Sequence, residues 1–393
     1  MSNFSYYTPT HVYFGRGTQN QVGELVRAQG CKKVLIHYGG QSARRSGLLD
    51  QVEASLDAAG VAHVQLGGVV PNPHLSLVYE GIELCRKEGV DFILAVGGGS
   101  VIDSAKAIGY GMCMDGDVWE LYNHTRRATG CLPIGVILTI AASGSEMSDS
   151  SVITKEEGGI KRGYNDDICR PKFAIMNPEL TMTLPDYQTA CGCTDILMHT
   201  MERYFVQGDA MEITDSIAEA LMRTVIKQAK ILRDDPKNYD ARAEVMWAGS
   251  LSHNGLTGCG HDGSDFASHR LEHEMGGMFD VAHGAGLAAV WGSWARYVYQ
   301  NCMPRFVRFA RNVMGVDAAL SDDAAALRGI ELMEDFFRSI HMPTCFSELG
   351  IHPTQEQLEE MAHKCYLAVG GLLGSAKKLD EGDMLAIYKM ANH

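Results

Sequence analysis

Two kinds of apolar pattern divide the chain. In the first half, short β-rich runs end in Gly, Asn or Ser clusters: KKVLIHYGG from Lys32, VAHVQLGG from Val61, DFILAVGGGS from Asp91 and LPIGVILTIAASGS from Leu132. Between the first three lie stretches with helical spacing, SGLLDQVEASLDAAG and HLSLVYEGIELCRKEG. Strands alternating with helices predict βαβ units on a parallel, Rossmann-like sheet. Two further runs, SSVITK and KFAIMNP, are expected to complete this part before the TLP at 183–185. Beyond Pro185 the apolar positions recur with helical period, as in DSIAEALMRTVIKQAKILRDD and AALRGIELMEDFFRSIHM, and predict an almost entirely helical second half. The expected domains are an α/β nucleotide-binding domain over 1–184 and an all-α metal-binding domain over 185–393, with a cleft between them.

Length agrees with that division, since 393 residues exceed the usual extent of one core. Apolar residues at 46% and charged residues at 21% are ordinary globular usage. A formal net charge of -14 offers no basic stripe for a phosphate backbone, which argues against nucleic acid and favours a small-molecule ligand. No apolar run reaches the roughly 20 residues of a membrane span, and MSNFSYYTPT lacks the order of a signal peptide, so the protein is expected in the cytoplasm, off the membrane. Eleven scattered cysteines fit reduced thiols. The close pair Cys191 and Cys193 reads as buried structural thiols in preference to a soft metal site.

Gly97-Gly98-Gly99-Ser100 follows a buried-looking strand and opens a helical pattern, so backbone N–H groups there would face an anion such as a pyrophosphate. This is not the G-x-G-x-x-G fingerprint, and a glycine turn without a ligand is an equally open reading. A second strand end, Thr139 to Glu146, supplies hydroxyls and small residues, and two such loops would form a crevice at the carboxyl edge of the sheet. The first strand runs out through Gly39, Gly40, Gln41 and Ser42 to Arg44 and Arg45. It has no acidic residue to take ribose hydroxyls, which favours NADP(H) over NAD. The alternative is that the arginines only begin a solvated helix.

Asp195 and His199 stand four apart in a helical stretch, and His269 and His273 repeat the spacing, with His283 ten residues on. A carboxylate with imidazoles suits Fe2+ or Zn2+ better than Mg2+ or Ca2+. Glu272 or Glu274 would orient a ligand histidine or face solvent. His253 and His261 read as structural or pocket-rim residues.

These segments resemble the iron-containing (group III) alcohol dehydrogenases of the dehydroquinate synthase-like superfamily. The likeness rests on VYFGRG, on GGGSxxDxAK as Gly97 to Lys106, on Thr139 to Glu146, on NPELTMTLP and on the two metal segments in order. YGGQSARRSGLLDQV is similar to the NADPH-dependent butanol dehydrogenase and aldehyde reductase branch, Gly39 standing where NAD-using relatives carry Asp. The resemblance implies metal ligands at Asp195, His199, His269 and His283, with His273 in the substrate pocket. It also implies cofactor contacts at Asn72, Gly98, Gly99, Ser100, Asp103, Thr139, Ser148 and Lys161. The family's Thr-Thr-x-Gly-Thr-Gly-Ser-Glu is here Thr139-Ile140-Ala141-Ala142-Ser143-Gly144-Ser145-Glu146, so no hydroxyl is available at 140.

The implied activity is interconversion of primary alcohols and aldehydes by hydride transfer, the ion in the cleft acting as Lewis acid and His273 either relaying a proton or only hydrogen bonding. A homodimer is implied as well. Alternatives are a dehydroquinate synthase- or glycerol dehydrogenase-like enzyme with the same two sites, a metal hydrolase, and a non-catalytic nucleotide-binding protein; the glycine loops speak against the hydrolase.

Overall fold

The computed structural model describes residues 1–208 and 210–393. The chain divides into two compact units, Tyr7–Thr183 and Leu184–His393, the second also taking in Met1–Tyr6. The first six residues thus belong with the helical part, where the Ser2 N–H donates to the Gly260 carbonyl at 3.0 Å. A division read from apolar period alone does not anticipate this, because so short an extended tail carries no pattern of its own.

The α/β unit holds a six-stranded sheet in the order β1-β8-β5-β4-β2-β3, every pair parallel. Its strands are β1 (His11–Phe14), β2 (Lys33–Tyr38), β3 (Ala62–Leu66), β4 (Phe92–Gly97), β5 (Ile134–Leu138) and β8 (Phe173–Met176). Every residue of β4 and β5 is buried. That explains their uninterrupted apolar runs, since a central parallel strand is covered on both faces. SSVITK does not join this sheet. As β6 (Ser150–Lys155) it pairs antiparallel with β7 (Ile160–Asn165) in a separate two-stranded ribbon.

The chain moves one way from β2 to β3, then crosses back to set β4 on the other side of β2 and continues outward through β5 and β8. The order therefore reverses between β2 and β4, and a ligand crevice forms outside the carboxyl ends of strands at such a point. Register brings the ends level: Tyr38 lies opposite Val96, and Gly97 opposite Leu138.

In the helical unit, helix Asp186–Tyr204 is buried from Ala190 onward except at Cys191 and Arg203, and helix His283–Val298 is buried along almost its whole length. Helices enclosed on all sides give positions fixed by packing, not by solvent-facing amphipathicity. Beside them a cluster of Phe205, Trp294, Phe306 and Phe309 closes the core, with the rings of Phe205 and Phe306 stacked at 4.3 Å. Among the described residues no helix is long and apolar enough to cross a membrane.

Candidate functional site

Asp195 and His199 project from one face of helix Asp186–Tyr204, one turn apart. His269 comes from helix Ala267–Phe279, and His283 opens helix His283–Val298. The start of that last helix lies hard against the first. A Cβ on Gly284 would meet the Cys191 carbonyl oxygen at 2.2 Å, so only glycine lets the two backbones approach this closely. The helix carrying His269 is preceded by Phe266 at φ 52° and followed by Asp280 at φ 50°. Two left-handed non-glycine residues cost about 1–2 kcal/mol each and are tolerated where surrounding packing over-determines them.

The four side chains converge. Asp195 Oδ1 lies 3.3 Å from His199 Nδ1, 3.5 Å from His269 Nε2 and 3.7 Å from His283 Nε2. One donor atom each from buried Asp195, His199 and His269 falls within 4.8 Å of the others. Among the described residues, Asp195 Oδ1, His199 Nδ1 and His269 Nε2 have no hydrogen-bond partner although they are buried. Such atoms cost about 1–3 kcal/mol apiece unless something satisfies them. A divalent cation bound by nitrogen and oxygen satisfies all three at once, so the residues present fit the ion that the sequence implies.

Supporting groups explain why the imidazoles point as they do. Glu202, buried on the same helix as Asp195, accepts the His269 backbone N–H at 3.0 Å through Oε1 and takes His269 Nδ1 on Oε2. Glu272 Oε2 takes Nδ1 of His283. Sequence reasoning considered Glu272 and overlooked Glu202, although Glu202 stands seven residues after Asp195 and three after His199, on the same face. His253 stacks on His199 with centroids 3.9 Å apart, closer to the centre than a rim residue would be. His261 is structural, bonding the Arg203 carbonyl at 2.8 Å and lying 3.1 Å from Asp215. Burial and the neighbouring imidazoles of His253 and His269 push His199 well below the ordinary histidine range, which keeps it neutral. Burial also opposes charge on His269, but Glu202 and Asp195 outweigh it and favour a proton on that ring, which a cation taken on Nε2 would displace. His273 does not join the cluster; its ring centroid lies 6.0 Å from that of His283.

Most of the residues expected to contact a nucleotide lie in loops at the carboxyl edge of the sheet. Gly98 is extended at φ -96° and caps helix Gly99–Met112. A Cβ on Gly98 would meet Ile140 Cβ at 2.9 Å, and one on Gly99 would meet Ser143 Oγ at 2.2 Å. The two loops therefore pack directly on each other, and the Thr139 N–H donates to the Gly97 carbonyl at 3.0 Å. Gly99, Ser100, Thr139, Gly39 and Asn72 are half-buried at this edge, Gly40 and Ser42 are exposed, and Asn72 adopts φ 55°.

Of the remaining predicted contacts, Ser148 and Lys161 are buried and Asp103 is half-buried. Asp103 accepts the Ser145 hydroxyl and the Val152 N–H, at 2.5 and 3.0 Å. Ser148 is wholly buried, its hydroxyl turned toward Lys106 and the Ser150 N–H, and Lys161 is buried on β7. Lys106, which the sequence did not single out, is fully buried and donates to the carbonyls of Ser145, Ser148 and Ser150 at 2.7–3.0 Å. It pins the whole 145–150 loop beneath the edge. At the end of β2, Arg44 donates to the Tyr38 hydroxyl at 2.8 Å and to Gln65 at 2.9 Å.

A six-stranded parallel sheet whose order reverses between β2 and β4, together with an all-helical unit holding a buried Asp–His cluster, defines an α/β plus all-α protein with a candidate metal site. Residues 9–178 match the iron-containing alcohol dehydrogenase family and residues 189–392 match the C-terminal domain of the same family, so the chain belongs to it. That family combines a nicotinamide cofactor with a divalent metal. The chain is 40% identical over 390 residues to NADH-dependent butanol dehydrogenase A of Clostridium acetobutylicum, covering 99% of both. It is 34% identical to the NADPH-dependent aldehyde reductase YqhD of Escherichia coli, over 89% of this chain and 90% of that one. The crystal structure of NADH-dependent butanol dehydrogenase A from Thermotoga maritima superposes with a TM-score of 0.96 at 37% identity, covering 100% of this chain and 99% of that one.

Proposed function

We propose that the protein is an NADP(H)-linked alcohol dehydrogenase and aldehyde reductase that interconverts primary alcohols and aldehydes, with Fe2+ or Zn2+ held by Asp195, His199, His269 and His283. The observation that carries this is the convergence of three buried, unpartnered donor atoms on one point, with His283 Nε2 beside them. The ion supplies Lewis-acid polarisation of the substrate oxygen, and the nicotinamide supplies or takes the hydride.

The residues of the chain do the rest. His273, on the same helix as His269, holds the proton exchanged with the substrate oxygen or hydrogen bonds to it. Backbone N–H groups from Gly98 to Ser100 face the pyrophosphate at the start of their helix. Asn72 and Thr139 bound the same crevice, while Asp103, Ser148 and Lys161 hold its shape from beneath.

Preference for NADP(H) rests on Gly39, Gly40 and Ser42 at the end of β2. No carboxylate stands there to repel a 2′-phosphate, and Arg44 and Arg45 follow. Relatives named for NADH and one named for NADPH both lie within reach of this chain, so the residue-level argument decides the proposal. A cytoplasmic homodimer belongs to the same reading, supported by eleven free cysteines for the compartment and by family membership for the assembly.

The test is the ratio of kcat/KM for NADPH and NADH in the reduction of butanal, measured alongside metal content. A metal-dependent reaction preferring NADPH is expected. A preference for NADH would overturn the cofactor assignment, and activity in protein freed of metal would overturn the role of the ion.

A further inference from the structure

The two cysteines at 191 and 193 part company in the structure. Two positions apart on one helix, they point to different sides of it. Cys193 is fully buried, as a structural thiol should be, whereas Cys191 is half-buried, and both are free thiols. The Cys191 sulfur meets a second sulfur from far along the chain, Met342 Sδ at 3.8 Å.

Met342 is itself fixed. Its N–H donates to the Phe337 carbonyl at 2.9 Å, its side chain is buried, and His341 before it is left-handed at φ 62°, turning the chain out of helix Asp322–Ser339. Met342, His341 and Tyr187 help to line a pocket of about 230 Å3, so the Met342 end of the sulfur pair borders an opening.

Thiolate and thioether are soft donors and select soft cations. At a metal–sulfur distance of about 2.3 Å, sulfurs 3.8 Å apart subtend an angle of about 110° at the ion. That angle belongs to a three- or four-coordinate ion and not to a linear one. A monovalent ion and one thiolate sum to zero charge, which a half-buried position tolerates, whereas a divalent ion leaves a net charge there.

We propose that Cys191 Sγ and Met342 Sδ form a binding site for a soft monovalent cation of the Cu+ class, one helical turn before Asp195 and separate from the divalent ligands. It stands independently of the function proposed above. Burial pushes the Cys191 thiol up to about 12, so the sulfur carries its proton at neutral pH until an ion arrives. Binding forms two metal–sulfur bonds and releases that proton to water.

The experiment titrates the purified full chain with Cu+, kept reduced by ascorbate without oxygen, against the chromophoric chelator bicinchoninate. Wild type is compared with Cys191→Ser, Cys193→Ser and Met342→Leu. Other thiols of the chain also take Cu+, so each variant is read as a difference from wild type. Cys191→Ser is expected to hold one equivalent fewer, and Cys193→Ser as many as wild type. Met342→Leu is expected to keep that equivalent but to surrender it at a chelator concentration lower by about tenfold or more, the loss of one coordinate bond. Circular dichroism checks that each variant folds; should Met342→Leu not fold, the two serine variants decide. Wild-type stoichiometry in Cys191→Ser, or wild-type affinity in Met342→Leu, overturns the proposal, as does an equivalent lost from Cys193→Ser in place of Cys191→Ser.

Discussion

Asp195, His199 and Glu202 stand at i, i+4 and i+7 of one helix, so a single face carries two candidate ligands and the carboxylate that steadies a third. The pair four apart was legible because imidazole and carboxylate at that spacing rarely coincide by chance. Glu202 followed the same period but, in a sequence, looks like any solvated helical glutamate; only burial exposes its task. His269→Ala is expected to lose bound metal and to lower kcat/KM about a thousandfold or more, corresponding to several kcal/mol of transition-state stabilisation. Metal analysis and steady-state kinetics check both together. At Gly39 the backbone does not demand glycine, and a Cβ would approach the Val69 carbonyl at 3.3 Å and Val101 Cγ2 at 3.8 Å. Gly39→Asp should therefore fold and, by repelling the 2′-phosphate, shift the NADPH to NADH ratio of kcat/KM by about tenfold or more, roughly 1.4 kcal/mol. An unchanged ratio would mean that another contact sets the preference.

Among elements, β4 and β5 could be read from sequence because complete burial leaves nothing but apolar residues in them. The ribbon strand β7, IKRGYN, could not: its charges and glycine deny it a strand pattern, and its existence depends on pairing with β6. The four residues of β1 were too few to show a period. The glycine turn after β4 was read equally as a ligand loop and as a turn without a ligand, and the structure gives one reason for its glycines, direct packing on the Ile140 loop. Gly98→Ala should accordingly destabilise the fold by about 1–3 kcal/mol through overpacking and weaken cofactor binding in the same variant, as thermal unfolding with and without NADPH would show.

Within the helical unit, Arg305 grips Asp215 with two bonds of 2.6 Å. Burial opposes the charge on Asp215, but Arg305 and His261 outweigh it and hold the carboxyl well below its usual 3.8. A depressed carboxylate contributes stability that is complete above the unfolded-state value and is lost as pH falls below it. Asp215→Asn is expected to cost about 3–5 kcal/mol at neutral pH, because Arg305 is left buried and unpaired. Its stability should also vary less with pH below about 4 than that of the wild type. Urea unfolding across pH 2–7 checks both.

For the whole molecule, the period of the apolar pattern and the order of strands and helices were enough to foresee an α/β unit followed by a helical one. They could not foresee that the first six residues go with the helical unit, since that is a matter of tertiary packing alone. Nor could they show the reversal of strand order between β2 and β4, which sets the glycine-rich ends of those two strands side by side. Candidate metal ligands on three helices and candidate nucleotide contacts at four strand ends gain chemical sense, on the proposed function, as parts of one enzyme. The most direct test of that claim is NADPH oxidation by butanal, followed in protein stripped of metal by a chelator and again after stoichiometric Fe2+ or Zn2+ is restored. Loss of oxidation on stripping and recovery at one ion per chain is the predicted result; oxidation that persists without metal, or fails to return with it, would contradict the account.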